Sequence, residues 1–423
     1  MDRLLVTGGT RLHGAVRVSG AKNSALKLMA AALLAPGRTT LSNVPRIQDC
    51  LTMGDVLDRL GVGVTWQGDE VAIDATTIES VEAPYDLVRR MRASIVVLGP
   101  LLARAGRARV AMPGGDNIGS RPIDLHIHGL EKMGADIRLE HGFLSGRTDG
   151  LRGASITLDY PSVGATENLM MAAVAAKGTT AIDNAAREPE IVDLGRFLTS
   201  MGARIGGTGT ATIEIDGVQD FHPTEHRVVP DRIEAGTWAV AACTTGGDVT
   251  IADARPDHLE LPLERLTDAG AQVNLVDDGI RILQEERAKA IDFVTLPYPG
   301  LATDFQPILM AMLATAAGTS IATENVFESR FLYVDELRRM GADIRVEGHH
   351  AVIRGVERLS AAPVRALDIR GGAAMVIAGL AADGVTEVTD MHHVDRGYEA
   401  FDRKLELLGA AVRRERELSP AAP

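Results

Sequence analysis

Cysteine is nearly absent: Cys50 and Cys243 are the only two in 423 residues, and they stand in no metal-binding spacing. A disulfide framework and a zinc module are thereby excluded. Both thiols lie near apolar stretches and are expected to be plain buried side chains in a reducing cytoplasm. Aromatic residues make up only 4% of the chain. No apolar run reaches the ~18 residues needed to cross a bilayer, so no membrane span is expected. The start, MDRLLVTGG, lacks the basic-then-apolar order of a signal peptide. Positive charge is in deficit, with 44 Lys and Arg against 57 Asp and Glu and a net charge of −13. That balance argues against nucleic acid or an acidic membrane as a partner, though not against a local basic pocket. Lysine is scarcer still, at positions 22, 27, 132, 177, 289 and 404. Arginine therefore carries nearly all the positive charge, and its planar fork suits phosphate and carboxylate. VTGGTRLHG at residues 6 to 14 lacks the G-x-G-x-x-G spacing, and no G-x-x-x-x-G-K-[ST] occurs. The histidine pairs His126/His128, 349–350 and 392–393 have no companion ligands at metal spacing, so no metal is expected.

What the chain does have is repetition. Its length exceeds one core, so two domains are expected, and 45% hydrophobic residues with 44 glycines read as a closely packed α/β protein. DRLGVGV, EKMGADI, TSMGARI, TDAGAQV, RRMGADI and ELLGAAV each end an amphipathic helix in glycine ahead of a strand. The glycines are Gly61, Gly134, Gly202, Gly270, Gly341 and Gly409, spaced 73, 68, 68, 71 and 68 residues apart. Glycine just past a helix is the expected left-handed stop. Between them runs a second pattern, an alanine-rich helix ending near Gly37, Gly106, Gly178, Gly247, Gly318 or Gly384. These helices are apolar nearly all round and should be buried. Six units, each strand, buried helix, strand, exposed helix and strands, predict three units per domain around three central helices. A one-layer solenoid would not cover helices so apolar.

The units differ where the buried helices begin. SGAKNSAL, RRMRASIV, PSVGATENL, VPDRIEAGTW, LATDFQPIL and LDIRGGAAM carry Lys22 and Asn23; Arg92; Ser162 and Thr166; Asp231 and Arg232; Asp304; Asp368 and Arg370. Free backbone N–H groups and the positive dipole end make such starts anion sites. Ser, Thr, Asp and Asn are equally good N-caps, which is the ordinary alternative. Cations at this end, Lys22 and Arg370, are harder to explain, and a phosphate or carboxylate ligand would account for both. Arg121, Arg187, Arg330 and Arg396 lie in polar turns, where surface salt bridges are the alternative. Asp116 stands alone in the glycine-rich PGGDNIGSRPIDLH, residues 113 to 126.

GAKNSALKLMAAALL, MRAS, PGGDNIGSRPIDLH, SVGATENLMMAA, NAAREPEIVDL, PDRIEAGTW, TDFQP, ENVFESRF and HHVDRGYE together resemble the enolpyruvyl transferases, in the branch that acts on UDP-N-acetylglucosamine, over essentially the whole chain. The resemblance implies an α/β, two-domain enolpyruvyl-transferase fold, an inside-out α/β barrel. Residues 21–229 would form one domain and carry the active-site loop 113–122. Residues 1–20 plus 230–423 would form the other, with the active site in the cleft between them. The implied reaction moves enolpyruvyl from phosphoenolpyruvate to the 3′-hydroxyl of UDP-N-acetylglucosamine, without cofactor. Lys22, Arg121 and Arg396 would hold phosphoenolpyruvate, with Arg92 nearby. Asn23, Pro122, Ile123, Asp124, Leu125, Ser162, Val163, Gly164 and Val326 would line the UDP-sugar site, with His126 on the nucleotide side. Asp304 would be the general base at the sugar hydroxyl, and Asp231, Arg330, Asp368 and Arg370 would complete the cleft. Asp116 would be the general acid, once desolvation and substrate anions raise a carboxyl that is otherwise ionised near pH 7. Many relatives have Cys at that position, the residue fosfomycin alkylates, so insensitivity to fosfomycin is implied. Tyr160 replaces a frequent cation. A paralogue acting on another UDP-sugar, or a non-catalytic nucleotide-sugar-binding regulator, are the alternatives.

Overall fold

The computed structural model describes residues 2–88, 91–112 and 123–416, with backbone alone at 92 and 93. Asp116, Arg121 and Pro122 lie outside the described residues. The described chain forms two compact units, residues 2–19 with 230–416, and residues 20–112 with 123–229.

Each unit contains three four-stranded sheets of one design: a parallel pair followed by two antiparallel ladders. In one, Ser155–Thr157 runs parallel to Thr179–Asp183, with Ser155 opposite Ala181. Thr212–Asp216 and then Arg204–Gly206 follow antiparallel. A parallel pair needs a crossover, and the buried helix Val163–Ala173 supplies it. Three closures are non-local. Glu225–Arg227 completes the sheet of Arg38–Ser42. In the other unit, His13–Arg17 pairs with Asp248–Ala252, and Asp2–Thr7 lies between Val385–Thr389 and Ala411–Arg416.

The apolar helices lie at the centre of each unit, as their composition predicts. They are Lys22–Ala31, Leu98–Ala105 and Val163–Ala173 in one, and Arg232–Thr245, Gln306–Leu313 and Ile369–Leu380 in the other. Each set belongs to a single apolar core. The amphipathic helices pack outside these cores and all six end in the same way. Gly61, Gly134, Gly202, Gly270, Gly341 and Gly409 have φ between 80° and 108°. The N–H after each glycine returns to the carbonyl of a leucine five residues back: Leu57, Leu130, Leu198, Leu266, Leu337 and Leu405. All six leucines are buried. This is the Schellman stop, with its apolar contact supplied by leucine.

The second glycine series needs one correction. Gly37, Gly106, Gly178, Gly318 and Gly384 have positive φ, but in the fourth unit Gly246 (φ 64°) takes that role instead of Gly247. The helix ends at Thr245, and the N–H of Gly247 returns to Ala242 O at 2.8 Å. Gly247 is glycine for another reason: a Cβ there would overlap the Leu12 carbonyl.

Candidate functional site

In the unit of residues 20–229, the helix Lys22–Ala31 begins after Ala21, with no side-chain cap. Lys22 is buried and its Nζ lies 2.7 Å from Asp49 Oδ2, in the first turn of the helix Gln48–Arg59. The next carbonyl, that of Asn23, accepts a hydrogen bond from Lys27 Nζ at 2.8 Å. Lys27 in turn stands 3.4 Å from Glu167 on the neighbouring buried helix. Glu167 is fully buried, with Lys27 the nearest cation to its carboxylate among the described residues. Burial pushes its pKa up to about 8; Lys27 opposes this, and Glu190 and Glu188 reinforce it.

Ser162 caps that helix, its Oγ accepting from Ala165 N at 3.3 Å, and Val163 and Gly164 follow half-buried. Beneath Gly164 lies the ring of buried His126, 3.4 Å from where a Cβ would stand. His126 Nδ1 meets Asn168 Nδ2 at 3.0 Å, and Asn168 Oδ1 accepts from Gly99 N at 2.7 Å. Ile123 precedes the helix Asp124–Lys132, in which Asp124 is exposed and Leu125 half-buried. Arg92 opens the short helix Arg92–Val97. These residues therefore share three neighbouring helix starts of one unit.

The second group lies in the other unit. Asp304 sits in the short helix Thr303–Phe305, its carboxylate between two buried arginines. Arg330 Nη2 lies 3.3 Å from Oδ1, and Arg370 Nη2 lies 3.1 Å from Oδ2. The Arg370 guanidinium also stands over the Tyr398 ring, 5.0 Å from its centre. Burial opposes the charge of Arg370, but Tyr398, Asp304 and Asp231 hold its pKa above the ordinary arginine value. Asp231 and Asp368 are N-caps, accepting from Ile233 and Glu234 N and from Arg370 and Gly371 N. Val326 is half-buried, and Arg396 ends the short helix Val394–Arg396.

Two sequence expectations change. The cations at the unfavourable helix ends do not require a ligand to balance them, because Asp49 answers Lys22 and Asp304 answers Arg370. Ser162, Asp231 and Asp368 satisfy free N–H groups of their own helices, so those starts are capped by protein oxygens. An incoming anion at either cation meets a carboxylate already in place. Among the described residues, no group of three or more His, Cys, Asp or Glu could hold a metal, and no helix is long and apolar enough to cross a membrane.

Sequence reasoning missed Asp49, Lys27, Glu167, Asn168 and Glu324. A signal existed for two of them: Glu167 and Asn168 are polar residues inside the otherwise apolar GATENLMMAA, where burial demands a partner. Asp49 and Glu324 look like ordinary helix-start and strand-end residues.

The family model for EPSP synthase (3-phosphoshikimate 1-carboxyvinyltransferase) matches residues 6–405. The UDP-N-acetylglucosamine 1-carboxyvinyltransferases of Corynebacterium jeikeium, Nocardia farcinica and Mycobacterium tuberculosis are 57%, 54% and 54% identical to the chain. Each alignment covers 98% of this chain and 98% or 99% of the relative. Among solved structures, the enolpyruvyl transferase NikO from Streptomyces tendae superposes with a TM-score of 0.89 at 26% identity, over 98% of both chains. An EPSP synthase from Acinetobacter baumannii does so with a TM-score of 0.77 at 19% identity, over 98% of this chain and 100% of that one, a likeness of fold alone.

Proposed function

The chain belongs to the EPSP synthase (3-phosphoshikimate 1-carboxyvinyltransferase) family of enolpyruvyl transferases, and from that premise we propose that it transfers enolpyruvyl from phosphoenolpyruvate to the 3′-hydroxyl of UDP-N-acetylglucosamine and releases phosphate. The observation that carries the acceptor is the 57% identity, along 98% of the chain, to a protein named for that reaction. The product opens peptidoglycan precursor synthesis. Both substrates are metabolites of the cytoplasm, which is where the reaction belongs.

The chemistry needs an acid, a base and cations. A proton goes to the methylene carbon of phosphoenolpyruvate, and the adjacent carbon becomes electrophilic. The sugar oxygen attacks that carbon as its own proton leaves. The methyl group then returns a proton while the C–O bond to phosphate breaks, so the double bond is restored and phosphate departs. Asp116 is our acid. Asp304 is our base, its carboxylate held in place between the Arg330 and Arg370 guanidiniums. Lys22, Arg121 and Arg396, with Arg92 nearby, would bind phosphoenolpyruvate, whose charge they stabilise as it redistributes. Asn23, Pro122, Ile123, Asp124, Leu125, Ser162, Val163, Gly164 and Val326 would contact the UDP-sugar. Buried beneath Gly164, His126 supports that surface more than it forms it. Arg330 and Arg370 orient Asp304, while Asp231 and Asp368 fix the helix starts beside it.

The test is phosphate release from phosphoenolpyruvate with UDP-N-acetylglucosamine, with shikimate 3-phosphate, or with no acceptor. Release only with the nucleotide sugar is expected. Release with shikimate 3-phosphate instead, or none with either, would overturn the assignment.

A further inference from the structure

Glu324 directly follows the strand Thr319–Thr323 and is buried. Its backbone is fixed by a hydrogen bond from its N–H to His349 O at 2.8 Å. Three donors converge on its side chain. Thr303 Oγ1 donates to Oε2 at 2.9 Å, while Val326 N and Phe327 N donate to Oε1 at 2.8 and 3.1 Å. A carboxylate accepts all of these and donates none, which no neutral side chain of that shape does.

The two places it grips lead to opposite ends of one ion pair. Thr303 is the residue before Asp304, in the same short helix. Phe327 O accepts the N–H of Arg330 at 3.2 Å, closing the turn that delivers Arg330 to Asp304. We propose that Glu324 is a positioning residue for the proposed base: one buried carboxylate sets both the turn that carries Asp304 and the turn that carries its partner Arg330. This rests on the reading of Asp304 given above. Misplacing a reacting group by about 1 Å costs on the order of 100-fold in rate, so loss of the grip shows in turnover before it shows in affinity.

The experiment measures kcat, the dissociation constant for UDP-N-acetylglucosamine and thermal stability in four variants. Thr303→Val removes only the link to the Asp304 turn and leaves the Val326 and Phe327 bonds intact. Thr303→Ser keeps the hydroxyl. Glu324→Gln offers one acceptor oxygen in place of two, and Asp304→Ala removes the base. We expect Thr303→Val to lose roughly 10- to 100-fold in kcat, with affinity for the nucleotide sugar within about threefold. Thr303→Ser should recover most of the turnover, and Glu324→Gln should fall at least as far as Thr303→Val. Wild-type kcat in Thr303→Val beside an inactive Asp304→Ala would overturn the grip and leave the base assignment standing. Parallel loss of affinity, turnover and melting temperature in Thr303→Val would overturn it in favour of a purely structural role. Wild-type turnover in Asp304→Ala would remove the base assignment, and this proposal with it.

Discussion

Phe305 lies so close to Gly236, in the middle of the buried helix Arg232–Thr245, that a methyl group there would overlap its ring. Glycine in a helix interior costs about 1 kcal/mol relative to alanine, and here it makes room for the residue that follows Asp304. Gly236→Ala should therefore destabilise the fold by about 1–3 kcal/mol through overpacking and shift the Asp304 turn. Urea midpoints and kcat should both fall. Unchanged values of both would mean the ring has another place to go.

Glu167 makes stability depend on pH. Its pKa is raised from 4.5 to about 8 in the folded chain. Between those values the unfolded chain binds fewer protons at this site than the folded one, so this contribution weakens as pH rises from about 4.5 to 8 and is flat on either side. Glu167→Gln carries no such dependence. Relative to wild type, the variant should gain stability across that window, by on the order of a few kcal/mol. Urea midpoints for both proteins at pH 5.5, 7 and 8.5 test this; a constant difference would contradict it.

Gly341 isolates the backbone contribution of the Schellman stops. Its φ is 91°, yet a Cβ would find nothing within 4 Å. Gly341→Ala should cost about 1–2 kcal/mol from left-handed strain alone, with turnover unchanged. A loss indistinguishable from zero in chemical denaturation would show that strain is not what places glycine there.

Asp116→Asn removes the proposed acid while preserving shape. Turnover should drop by about 100-fold or more, with UDP-N-acetylglucosamine still bound. Single-turnover phosphate release separates the two effects, and wild-type release would eliminate Asp116 as the acid.

Thiol chemistry should be silent in the native protein. Cys50 and Cys243 are buried and form no disulfide, and burial pushes the Cys243 thiol up to about 12. Residues 113–122 contain no cysteine. Intact mass after incubation with fosfomycin should show no adduct, and thiol reagents should react only after unfolding. A native adduct would refute this.

The exposed helix stops were legible because everything they need is local: an amphipathic turn, a leucine five residues before the next apolar position, and a glycine between. The buried helices were legible because nothing polar interrupts most of their faces. What escaped was pairing at a distance. Lys22 finds Asp49 and Lys27 finds Glu167 across 27 and 140 positions respectively, and no short-range pattern records which acid meets which base. Gly246 and Gly247 show the same limit in miniature. Both are glycine, but one answers to backbone handedness and the other to a carbonyl from Leu12, more than 200 residues away. Arg370 looked like a cation awaiting an anion because Asp304, its partner, lies 66 positions before it.

The strand Asp2–Thr7 is made long before its two neighbours, for it sits between Val385–Thr389 and Ala411–Arg416. Residues 20–229 can close their own three sheets during synthesis. That strand cannot be enclosed until Ala411–Arg416 has been made, so the nascent chain carries an unpaired β-segment while both units are being synthesised.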